Sequence, residues 1–119
     1  MKDIQQLIAL LFLSRDEAHK AHLNTSSYAQ HMALGAFYDD IIDLADNLAE
    51  AWMGRNLKKI GDIPALKSPV GDIIQVLKRH LDVIESTRDF LDKDTALQNI
   101  VDEIVALYLS TLYKLNFLK

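Results

Sequence analysis

Apolar residues in this chain recur at intervals of three and four, and no alternating stretch is long enough to form a strand, so the pattern predicts helices throughout. Asp3 is placed to cap a first helix reaching about Leu23, with Ile4, Leu7, Ile8, Leu11, Arg15, Ala18 and His22 along one stripe. The turn-forming run Asn24-Thr25-Ser26-Ser27 breaks that helix, its hydroxyls serving as caps. A long second helix follows from about Tyr28 to Lys59. Gly35 lies inside it and leaves room for a partner helix to come close. Gly61 to Pro69 reads as a loop. A third helix from about Val70 to Phe90 buries Ile73, Leu77, Leu81 and Ile84. After Lys93-Asp94, Thr95 and Gln98 have the spacing of a capping box. They open a fourth helix through Leu97, Ile100, Val101, Ile104, Tyr108 and Leu112. Four helices with mostly short connections predict an all-α antiparallel four-helix bundle, one domain spanning residues 1–119.

Composition narrows the function classes. A formal net charge of −4, with only Lys58-Lys59 and Lys78-Arg79 as adjacent basic pairs, offers no nucleic-acid surface. No cysteine is present, which excludes disulfides, thiolate metal sites and cysteine nucleophiles, and fits a reducing cytoplasm. The apolar stretch Leu7–Leu13 is shorter than a membrane span and is followed by Ser14-Arg15-Asp16-Glu17, so it reads as the buried side of a helix. No membrane association is expected.

The candidate chemistry lies between Ala18 and Glu50, which hold three of the four histidines and a ladder of carboxylates. His19 and His22 project from neighbouring positions near the end of the first helix. On the second, His31, Gly35, Asp39, Asp43, Asp46 and Glu50 follow at intervals of four or three and trace one stripe. Imidazole and carboxylate together suit a transition metal. Distance then fixes the architecture. His31 and Asp46 stand 15 residues apart, roughly 22 Å along a helix, against a metal–ligand bond of about 2 Å. Two copies of this helix, antiparallel about a two-fold axis near Tyr38-Asp39, would set His31 of one beside Asp46 of the other and make two equivalent sites.

These residues resemble the signature of Dps-type mini-ferritins: His19-x-x-His22-Leu23-Asn24, then His31, then Asp46-x-x-x-Glu50. The resemblance implies a ferritin-like bundle that assembles at least as a two-fold dimer. It further implies an iron site in which His22 and His31 face Asp46 and Glu50 of the mate, with His19 peripheral and Asp39 or Asp43 as further ligands. The activity implied is oxidation of Fe(II) to Fe(III) by dioxygen or peroxide. The chain departs from that pattern in places. Leu23 replaces a tryptophan, Gly35 replaces a carboxylate, the segment between His22 and His31 is about three residues shorter, and no lysine-rich tail for DNA binding is present. The Glu-x-x-His pairs of larger ferritins are absent: Glu17, Glu50, Glu85 and Glu103 precede Lys20, Met53, Arg88 and Ala106 at the third position.

Two other readings use the same residues. One is a helical interaction protein without catalysis, its acidic stripe merely solvated. The other is a dimer stabilised by zinc through the same ligands. Elsewhere, His80 reads as a surface or boundary residue without a role, and Asp82, Glu85, Asp89, Asp92, Asp102 and Glu103 as solvated. Phe37, Tyr38, Trp52, Tyr108 and Tyr113 read as core or interface anchors.

Overall fold

The computed structural model describes residues 3–119, and every regular element among them is helical: α1 (Ile4–Asn24), α2 (Tyr28–Asn56), α3 (Ile73–Thr87), a 3-10 turn (Arg88–Leu91) and α4 (Thr95–Phe117). Each α-helix opens on a side-chain cap. Asp3 accepts from the Gln6 amide, Ser27 from Gln30, Asp72 from Gln75 and Asp94 from Leu97.

The boundaries differ from the sequence pattern at four points. Helix α2 stops at Asn56 rather than Lys59, because Leu57 turns into the left-handed region with φ 52°. Helix α3 starts at Ile73 rather than Val70, where Asp72 and Gln75 form a reciprocal capping box. It ends at Thr87, so Phe90 belongs to the 3-10 turn. Helix α4 is capped by Asp94, not Thr95. Gln98 does not close a box there; its amide donates to the carbonyls of Arg88 and Asp92 and ties the preceding turn down.

Helix α1 packs against α2 and α3, and α4 against the same two, so α1/α4 and α2/α3 are the diagonals of the bundle. The direction of each helix follows from specific contacts. Arg55 near the end of α2 pairs with Asp94 at the start of α4, at 2.7 Å. The start of α2, at Tyr28 and Met32, lies beside Lys114 and Leu118 at the end of α4. The connection after α2 runs back along α1. Gln5 donates to the Ile60 carbonyl, Ile63–Leu66 lie against Ala9, Phe12 and Asp16, and Ile73 arrives beside Ala21 and Asn24. Helices α2 and α3 therefore run parallel across a diagonal, and α1 and α4 oppose both. The order is up-down-down-up with one long crossover.

The core draws on all four helices, including Leu7, Leu11, Leu34, Phe37, Ile41, Leu77, Ile84 and Ile104. Tyr108 and Phe37 are wholly buried and meet edge to face with centroids 5.1 Å apart. Tyr113, by contrast, is exposed. No helix among the described residues is long and apolar enough to cross a membrane.

Candidate metal centre

The short link between α1 and α2 brings the histidines together. Thr25 accepts from the Ser27 amide and donates to the Gln30 side chain, which fixes the turn into α2. Across this turn His22 and His31 clasp each other. His22 Nδ1 donates to the His31 carbonyl at 2.7 Å, and His31 Nδ1 donates to the His22 carbonyl at 2.9 Å. Their rings stack with centroids 3.7 Å apart. A carbonyl only accepts, so each ring carries a proton on Nδ1, and in the neutral form Nε2 holds the lone pair. The clasp also satisfies the His22 carbonyl, which lies in the last turn of α1 where no intrahelical partner exists.

Gly35 makes this possible. A Cβ there would stand 3.2 Å from Cε1 and 3.3 Å from Nδ1 of His22. The missing side chain thus admits an imidazole from α1, rather than serving only to bring helix backbones together. Below the clasp, Tyr38 and His22 meet edge to face, and His19 stacks on Tyr38 at 4.1 Å. His19, His22, His31 and Tyr38 form one half-buried cluster along the α1–α2 seam.

The carboxylates lie elsewhere. Asp39, Asp40, Asp43, Asp46 and Glu50 are all exposed on α2, and none of them joins an ion pair among the described residues. Because α2 is unbroken from Tyr28 to Asn56, Asp46 and Glu50 stay several turns away from His31. Among the described residues no three His, Asp or Glu side chains come together to hold an ion. One copy of the chain supplies the imidazoles at one end of the stripe and the carboxylates at the other.

A second polar cluster is one that the sequence reading passed over. His80 is buried, not a surface residue. The Tyr108 hydroxyl donates to Ser14 Oγ at 2.6 Å, and Ser14 Oγ lies 2.6 Å from His80 Nδ1. Ser14 Oγ thus bridges the Tyr108 hydroxyl and His80 Nδ1, the direction of the second bond following the His80 tautomer. The relay joins α4, α1 and α3 through the core. Burial, with a smaller contribution from Arg79, pushes the His80 pKa below its usual value, while Glu17 opposes the shift. Burial also raises the Tyr108 pKa. A signal for this cluster exists in the sequence. Ser14 falls between Leu11 and Ala18, and His80 between Leu77 and Ile84, both at inward spacings of three and four.

Against known proteins, residues 22–115 match a family of unknown function, DUF5856. An uncharacterized 14.6 kDa protein in the mobD-ri intergenic region of Enterobacteria phage T4 is 28% identical over 112 residues, covering 93% of this chain and 86% of that one. No solved structure matches.

Proposed function

We propose that this chain, which belongs to the DUF5856 family of unknown function, is a ferritin-like bundle protein that binds iron at a site completed by a second copy of itself. The observation that carries the reading is the His22–His31 clasp. Metal-binding histidines commonly donate one ring nitrogen to a carbonyl, which sets the tautomer and leaves the other nitrogen as ligand. Here both Nδ1 atoms are so tied. The connectivity supports it as well, since ferritin-like bundles are those with one long crossover.

The donor set fits Fe(II) as a substrate. Neutral imidazoles of His22 and His31 would face the carboxylates of Asp46 and Glu50 from the second copy, with Asp39, Asp43 and His19 nearby on the same edge. Carboxylate oxygens favour the harder Fe(III) ion, so the set would draw oxidation by dioxygen or peroxide forward. In this reading the protein works in the reducing cytoplasm, where Fe(II) is available and cysteine-free chemistry is no handicap.

The test is Fe(II) oxidation in air, followed by ferric absorbance, for the wild type against Glu50→Ala and His31→Ala at equal concentration. Rapid oxidation lost in both variants is the expected result. A wild-type rate equal to that of protein-free buffer would end the ferroxidase reading. If zinc titration then showed binding abolished by the same two substitutions, the ligands would serve a structural zinc ion instead.

A further inference from the structure

Helix α4 is apolar on both sides toward its C-terminal end. Ile104, Tyr108 and Leu115 are buried in the core, yet Tyr113, Phe117 and the capping Leu118 are exposed, Phe117 to 71%. The start of α2 beside them is open in the same way, Tyr28 to 77% and Met32 to 54%. A helix that is apolar all round is normally covered on every side. Between the two helices runs a groove of about 460 Å³, within the range that small-molecule sites occupy. Tyr28, Ala29 and Met32 line it from α2, and Leu118 from the end of α4.

Charge says what the groove would accept. Lys114 and Lys119 also line it, and neither joins an ion pair among the described residues. No Asp or Glu stands between Ala18 and Tyr38, or between Ile104 and Lys119, in a chain whose net charge is −4. Lys114 is half-buried; such a lysine lays its methylenes on apolar surface and keeps its ammonium in water. An apolar trough with cations and no carboxylate side chain at its rim suits a hydrocarbon chain that ends in an anion. The groove is concave, and two lysines would draw the chain only weakly to an anionic bilayer against its net negative charge. A single free chain is the better fit.

We propose that this groove binds a free single-chain amphiphile with an anionic head, of the fatty-acid class. Its chain lies between α2 and α4, and its carboxylate meets Lys114 and Lys119. The site draws on neither the His22–His31 clasp nor the carboxylates of α2, and it needs no metal.

The test titrates the protein in EDTA with sodium laurate below its micelle concentration, read by calorimetry and by the methyl resonances of Ala29, Met32 and Leu118. One saturable equivalent is expected, with those methyls shifting together. Octanoate, with a shorter chain, should bind about tenfold more weakly or worse. Lys114→Met keeps the apolar stem and removes the charge. It should weaken laurate about three- to tenfold and leave the weaker binding of uncharged 1-octanol as it is. Lys78→Met, the same charge change on α3, should alter neither. Ala29→Trp, with helical circular dichroism unchanged, should fill the trough and abolish both. The proposal is overturned if dodecyltrimethylammonium binds as tightly as laurate. Laurate taken up in several equivalents with scattered shifts, or a Lys114→Met variant that binds laurate like the wild type, would overturn it equally. Co-sedimentation with phosphatidylglycerol vesicles without laurate binding would make this face a membrane surface instead. Groove methyls that answer to protein concentration but not to laurate would make the occupant a second copy of the chain.

Discussion

Ser14→Ala is the sharpest probe of how the bundle is held, because one hydroxyl serves two buried partners. Its removal leaves the Tyr108 hydroxyl without an acceptor and His80 Nδ1 without a partner, in a position where Ser14 and Tyr108 are both fully buried. Each unsatisfied buried group costs roughly 1–3 kcal/mol. Better helix propensity of alanine returns about 0.5 kcal/mol. The space vacated by one oxygen is too small for a water to step in. The net loss is roughly 1.5–5.5 kcal/mol. For a chain of 119 residues, the unfolding entropy is about 0.25 kcal/mol per degree, so Tm should fall by roughly 6–22 °C. Calorimetry with a urea titration followed by circular dichroism gives both numbers. Tyr108→Phe leaves Ser14 still bonded to His80 and should cost less. In the double variant the two effects should couple by about 1–3 kcal/mol. A fall in Tm below about 3 °C for Ser14→Ala, or strict additivity with Tyr108→Phe, would refute the relay.

Three further outcomes follow from the same packing. The His80 pKa is lowered in the folded chain, chiefly by burial and secondarily by Arg79, against the pull of Glu17; the unfolded chain therefore binds more protons between the folded value and about 6.5. Stability should be full above about pH 6.5 and decline as pH falls through the folded value, and urea midpoints for His80→Gln should lose that part of the slope. Gly35→Ala brings a methyl to 3.2 Å from the His22 ring; helix propensity favours the change by about 1 kcal/mol, while displacement of the clasp removes about as much per hydrogen bond. Stability should thus move little, yet the downfield His22 Nδ1 proton resonance should shift or vanish, and its persistence would contradict the packing described. Asp72→Ala removes one half of the α3 capping box and should cost about 1 kcal/mol, a Tm fall of about 4 °C, with exchange of the first-turn amides of α3 raised selectively.

Helix existence was legible from periodicity, because each helix buries an apolar stripe: Ile4, Leu7, Ile8 and Leu11 in α1, and Leu77, Leu81 and Ile84 in α3. Helix ends were less so. Leu57 stops α2 without glycine or proline, and nothing in its own type announces a left-handed turn. At the start of α4 two capping signals compete, and Asp94 prevails over Thr95 because its carboxylate also reaches Arg55, which holds it below the usual carboxylate range. Spacing set His31 and Gly35 on one stripe of α2, and only the family resemblance joined His22 to His31; the structure packs the His22 ring over Gly35 and clasps it to His31. What spacing does not carry is the hydrogen bonding of each ring. His80 illustrates the limit, since charged Arg79 beside it suggested the surface although its helical phase pointed inward.

The long crossover has a kinetic side. The His22–His31 clasp closes a loop of nine residues, whereas the Tyr108–Ser14 bond joins positions 94 apart and waits for α3 and α4 to arrive. Loop-closure entropy rises with that separation, and local contacts form first. The α1–α2 hairpin should accordingly be the folding nucleus, its imidazoles already stacked while the connection after Leu57 is still free. Pulse-labelled hydrogen exchange would then find amides near His31 protected ahead of those in α3. The oldest contact between helices in each molecule would be the one between His22 and His31.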